Sequence, residues 1–140
     1  MFATTAAIVL LLLLAATVCD LRLREVPDWI AIAIALVAVA SAVVGWLGIG
    51  LVWIFAGGIV GLLVGYLLFR FARLGGGDAK LIAALGLLVG PVGLVIVLFG
   101  MAIAGGVLSL VAMLRGQRDY AYVPAITAGF VGYVSIVSLV

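Results

Sequence analysis

The stretch Leu74-Gly75-Gly76-Gly77-Asp78-Ala79-Lys80 interrupts apolar sequence of membrane-spanning length on both sides. An ionised carboxylate is costly in hydrocarbon, so an acid in such a place marks a functional site by default. Three consecutive glycines give a backbone that reaches φ > 0 and lets a second chain come close, because no Cβ intervenes. The expectation is a glycine turn that sets Asp78 at the start of a helix, placed for chemistry rather than for packing.

Outward from this stretch the composition fixes the class. Of 140 residues, 69% are hydrophobic and 9% charged, with a mean hydropathy of +1.60. A soluble domain has about 45–50% apolar and about 25% charged residues. A membrane span takes about 20 apolar residues, which leaves room for roughly six helices in a single membrane-embedded domain, 1–140, and no soluble domain beside them. The net charge of +2 is too small to point to nucleic acid. There is one cysteine, Cys19, and no histidine. These exclude an internal disulfide, Cys-His catalysis and Ser-His triads, and they make a zinc site unusual. Neither metal nor cofactor is expected. Acid–base chemistry must come from the five acids, seven basic residues, four tyrosines and the hydroxyls. Residues 1–18 lack the basic n-region of a signal peptide, since the first basic residue is Arg22, and are read as a retained first span.

The predicted spans run over about 3–19, 29–47, 51–69, 78–89, 92–114 and 124–140. Pro27-Asp28 is a start signal for the second, with Asp28 read as its cap, and Pro124 suits the first turn of the sixth. Every charged residue falls in or beside the 1–2, 3–4 and 5–6 connections, and the 2–3 and 4–5 connections have none. Six crossings put the charged connections on one side, and the basic excess makes that side cytoplasmic, with both termini outside. The fourth span is only about 18 Å long at 1.5 Å per residue, short of ~30 Å of hydrocarbon. Gly57, Gly61 and Gly65 lie one turn apart on the third span, and Gly86 and Gly90 on the fourth, a pattern of close helix packing.

Loop parity gives Asp78 a partner. Asp20, where the first span reaches the charged side, lies at the same membrane depth. Two acids in a low-dielectric cleft cannot both ionise cheaply, so they share a proton and titrate as a pair. Such a dyad can activate a water as base and protonate a leaving amine as acid. The alternative reading of the same residues is an interfacial charge at Asp20 and a helix N-cap at Asp78. Glu25 and Asp119 read as solvated loop charges. Lys80 snorkels to the head groups or supplies positive charge near the pair; two residues from Asp78, it lies on nearly the opposite face of a helix.

Three stretches together resemble prepilin peptidases, the type IV leader peptidases of the GxGD membrane aspartic family. Asp20-Leu21-Arg22-Leu23-Arg24-Glu25-Val26-Pro27-Asp28 looks like the first motif, an Asp followed by basic residues and a hydrophobic-Pro-Asn step. Gly75-Gly76-Gly77-Asp78-Ala79-Lys80-Leu81 is similar to the second, GxGD followed by x-Lys-hydrophobic. Tyr122-Val123-Pro124-Ala125-Ile126 resembles the last signature. The likeness covers nearly the whole chain and is nearest to the short, CpaA/TadV-like form of tight-adherence (Flp) pilus systems.

The resemblance implies a catalytic pair, Asp20 and Asp78, with Gly75 and Gly77 setting Asp78 and with Lys80, Pro27, Asp28 and Pro124 as supporting motif residues. It further implies an aspartic endopeptidase, without metal, that removes the basic leader of type IV prepilins and pseudopilins at the cytoplasmic face of the inner membrane. The partners implied are the prepilin helix and the bilayer. Asp28 stands where the family has Asn, and the proline segment before the last span is shortened. With only Asp20 to Asp28 between the first two spans there is no cysteine-rich domain, and peptidase activity is expected without N-methyltransferase activity. The expected architecture is an all-α, six-span bundle. The rival classes are a proton-coupled transporter and a non-catalytic subunit of a pilus or secretion assembly.

Overall fold

The computed structural model describes residues 1–118 and 120–140; Asp119 lies outside the described residues. The chain is all-helical: α1 (Phe2–Leu23), α2 (Asp28–Val43), α3 (Leu51–Ala72), α4 (Gly76–Leu114) and α5 (Val123–Leu139). This is five helices where six were expected. By length and composition α1, α3 and α4 could each cross a membrane; α2 and α5, at 16 and 17 residues, are shorter.

The difference lies at Gly90, which was expected to separate two helices. Its backbone is non-helical (φ 71°, ψ 177°), and Pro91 follows without an N–H to donate, so α4 breaks there into the arms 76–89 and 91–114. A straight helix would hold Asp78 and Ala112 ~50 Å apart at 1.5 Å per residue, yet both line one cavity. A Cβ on Gly86 would also come within 3.3 Å of Leu94. α4 therefore doubles back on itself as a hairpin.

The first arm is the centre of the molecule. Asp78, Leu88, Val89 and every residue from Leu81 to Gly86 are buried on it. At 14 residues (76 through 89) it reaches only about 21 Å, but α2, α3 and the second arm pack on it, so protein covers what lipid would otherwise meet. α3 lies against it backbone to backbone. A Cβ on Gly61 would sit 2.8 Å from the Ile82 carbonyl oxygen, and one on Gly65 2.7 Å from that of Ala79. Gly57 meets the backbones of Gly86 and Gly90 in the same way. The second arm and α5 repeat the device where Gly100 and Gly129 touch.

α1 contributes one buried stripe, Ala6, Val9, Leu13, Ala16 and Asp20, at the three- and four-residue steps of a helix face. Two hydroxyl pairs tie it to its neighbours, Thr5 with Ser41 on α2 (3.2 Å) and Thr17 with Thr127 on α5 (3.0 Å).

The conformation of Gly90 belongs to the region open essentially to glycine alone, where another residue costs of order 1–3 kcal/mol. A Cβ there would also press on the Trp53 ring at 3.0 Å. Gly90→Ala should lower the thermal unfolding midpoint of the purified protein in detergent by several degrees. Gly106→Ala, with nothing within 4 Å of the new methyl and ordinary backbone angles, should leave it unchanged or raise it slightly.

Candidate active site

α1 runs four residues beyond the expected end, so Asp20 lies in its last turn rather than past it. Its position on the α1 core stripe leaves it 8% exposed. One carboxylate oxygen accepts the backbone N–H of Val123 at 3.2 Å. That N–H belongs to the first turn of α5, which has no intrahelical acceptor. Asp20 thus caps a helix distant in sequence, and the positive end of α5 faces the carboxylate. The stretch matched to the last family signature supplies this contact through Val123. Pro124, at the second position of α5, has no N–H and leaves the capping to its neighbour.

Asp78 is also displaced from expectation. The helix starts at Gly76 with Gly75 as N-cap, so Asp78 is its third residue and not its cap. From there the carboxylate reaches back to the Gly75 N–H, as the third residue of a capping box does. Asp78 is 5% exposed, and its Oδ1 is fully covered without a hydrogen-bond partner among the described residues.

None of Gly75, Gly76 or Gly77 has a positive φ, contrary to the turn expected there. Gly75 is extended (φ −63°, ψ 147°), and the left-handed residue is Arg73 (φ 55°), which ends α3. What the glycines supply is room. A Cβ on Gly75 would stand 3.1 Å from Asp78 Oδ2, and one on Gly77 would stand 2.9 Å from Val26 Cβ and 3.1 Å from its carbonyl oxygen. Gly77 therefore lets the segment leading to Pro27 lie directly on the first turn of α4.

Lys80 and Asp28 form an ion pair of 2.7 Å. Asp28 was read as the cap of α2, but Pro27 holds that position and the Asp28 side chain makes no cap bond. Lys80, two residues from Asp78, thereby fastens α4 to the start of α2. With the partners 55% and 62% exposed, the pair is worth no more than about 1 kcal/mol.

Asp20 and Asp78 are brought together. Both line a cavity of about 540 Å³ at the end of the bundle, and the charge of Asp20 acts on Asp78 across it. Other walls come from Gly75, from Leu108, Val111 and Ala112 on the second arm of α4, and from Tyr122 and Pro124. The cavity also holds Arg24, Arg73 and Arg115, which loop parity identifies only as charges of one side. The available signal was position, since a basic residue follows the apolar run of each helix that ends on this face. A second cavity of about 500 Å³ lies between α2, α3 and the first arm; it is apolar except for Asp28 and Lys80.

The arrangement offers two buried carboxylates from separate helices, each steadied by one backbone N–H, in a cavity large enough for an extended peptide segment and a water. A family model described as the type IV leader peptidase family matches residues 7–110, which include both acids. Neither a curated protein nor a solved structure matches the chain. The chain belongs to the type IV leader peptidase family.

Gly77 and Gly76 separate the demand for room from the demand for helix. Gly77→Ala forces its methyl into Val26 and should cost about 1–3 kcal/mol, as overpacking does. Gly76→Ala meets only a ring carbon of Phe69 at 3.9 Å and should be neutral or stabilising. Thermal unfolding of the two variants side by side checks this.

Proposed function

We propose, from membership of the type IV leader peptidase family, that the chain is a membrane aspartic endopeptidase whose catalytic pair is Asp20 and Asp78. The observation that carries the reading is that the two acids, from the last turn of α1 and the first turn of α4, line one cavity. Two carboxylates at one desolvated place hold a single proton between them. The ionised member takes a proton from water, and the protonated member donates to the scissile carbonyl oxygen as the water oxygen bonds to its carbon. The pair then gives a proton to the leaving nitrogen and takes one from a hydroxyl of the tetrahedral intermediate as the C–N bond breaks, so it ends with the single proton it began with. The Val123 and Gly75 N–H groups hold the two carboxylates in place through these exchanges.

The substrates are prepilins and pseudopilins of the Flp type. Their hydrophobic helix lies against the bundle beside the second arm of α4, where Leu108 and Val111 lead into the cavity. The basic leader stays in the cytoplasm. The arms of α4 make the fourth and fifth of six crossings, and both termini lie outside. The shared cavity supports this topology, since Asp20, Arg73 and Arg115 come from three different connections and meet on one face. Basic residues collect on the cytoplasmic side of a membrane protein.

The test is cleavage of a purified prepilin by the reconstituted protein, followed by the size shift on a gel. Asp20→Asn and Asp78→Asn keep an acceptor for the Val123 and Gly75 N–H groups, so both variants should fold with near-normal thermal stability. Each should lose at least about a hundredfold in cleavage rate, the scale of general acid–base catalysis. A variant that cleaves at the wild-type rate removes that residue from the mechanism.

A further inference from the structure

The cavity between α2, α3 and the first arm of α4 has no part in the proposed peptide chemistry. It shares no lining residue with the cavity of Asp20 and Asp78. Small residues create it. Ala31 on α2, Gly58 on α3, and Ala83 and Ala84 on α4 are buried at its floor, and none carries more than a methyl group. Ile32, Ile59 and Leu62 line it as well and are exposed, so it is a groove open along its flank. The lining positions on α2 and on the first arm run from 28 to 35 and from 80 to 87. Seven residues of helix rise about 10 Å, and one leaflet of hydrocarbon is about 15 Å, half of ~30 Å. The groove therefore begins at two charged helix starts and ends within a single leaflet.

These dimensions choose between apolar occupants. A helix with its side chains is about 10–12 Å across and must traverse both leaflets. An acyl chain enters from one side and stops inside its own leaflet. A substrate helix seated here would also lie away from the two acids, which line the other cavity.

The mouth of the groove selects a head group. Lys80 Nζ donates to Asp28 Oδ2 at 2.7 Å, and the two side chains are 55% and 62% exposed. An ammonium has three N–H donors and a carboxylate two acceptor oxygens. Among the described residues the pair thus leaves two donors on Lys80 and Oδ1 on Asp28 for a ligand. A phosphodiester meets the first and a primary ammonium the second, and the four charges then alternate. A glycerol head group brings no cation to Asp28, and a choline head group brings one without an N–H.

We propose that this groove is a site for one phosphatidylethanolamine molecule, with an acyl chain along α2 and α3, its phosphate on Lys80 and its ammonium on Asp28. The lipid fills the space between α2 and α3, which both pack on the first arm and scarcely touch each other.

The test titrates the purified protein in detergent with phosphatidylethanolamine, phosphatidylcholine and phosphatidylglycerol of the same acyl chains, and counts bound lipid by native mass spectrometry. One phosphatidylethanolamine should bind roughly tenfold or more tightly than either of the others, on the scale of a charged hydrogen bond. Asp28→Ala should reduce phosphatidylethanolamine to the affinity of phosphatidylcholine, and Lys80→Gln should weaken all three phospholipids. Because the ion pair is exposed, both variants should unfold within a few degrees of the wild type in lipid-free detergent, so their affinities report the site. Ala35→Phe, which adds a ring to the groove from a half-buried position, should also weaken all three. Equal binding of the three phospholipids overturns the proposal, as does a preference for phosphatidylethanolamine that survives Asp28→Ala. Competition by glycerophosphoethanolamine at the concentration of the lipid would assign the mouth to a soluble head group and overturn the role of the chain. Displacement of the lipid by an equimolar peptide of a prepilin hydrophobic helix would assign the groove to the substrate and overturn it too.

Discussion

The backbone contact between α3 and the first arm of α4 is the constraint on which the rest depends. Hydrocarbon provides no hydrophobic force between helices, so association in a membrane rests on close packing and on small residues that allow it. Gly57, Gly61 and Gly65 remove side chains along one face of α3, and the carbonyls of Ile82 and Ala79 occupy the space. That contact fixes the height of the first arm, and with it the height of Asp78. The break at Gly90 then returns the chain beside the same arm and delivers Ala112 and Arg115 to the cavity wall. A 21 Å helix at the centre of the bundle is too short to cross a bilayer by itself, and enclosure by the other helices removes the need.

Much of this was legible in the sequence, because it follows from periodicity and cost. An acid after a glycine run between apolar segments has few inexpensive explanations. Asp20 continues the spacing of Ala6, Val9, Leu13 and Ala16, which places it on the buried face of α1. The four-residue glycine steps on α3 described a close contact before any partner was known. Six separate helices were not recovered, since the helical runs on either side of Gly90 meet without a loop between them.

What was not legible depended on contacts between segments far apart in the chain. Glycine permits a left-handed backbone, and three in a row suggest one, but permission is not requirement. At Gly75 and Gly77 it is the approach of Asp78 and Val26 that excludes a side chain, while the left-handed residue is Arg73. Asp28 carried the local marks of a cap, and only the fold shows that Pro27 is the cap and that Lys80 takes the carboxylate. The Val123 N–H was equally invisible, since no spacing rule links residue 123 to Asp20.

The placement of the two acids also bears on what chemistry is open to them. A proton path across a membrane needs ionisable groups near its middle, carried by broken or repeated helices. Among the described residues the one helix break is at Gly90, away from the acids, and both acids lie in terminal turns on one face. At helix N-termini backbone N–H groups remain without helical acceptors, and those of α5 and α4 are the ones that hold Asp20 and Asp78. The same ends lie where a polar segment can enter from water without crossing hydrocarbon. An acid pair set at helix ends is therefore suited to a substrate that arrives from one side, with its apolar part in the bilayer and its reacting bond at the surface.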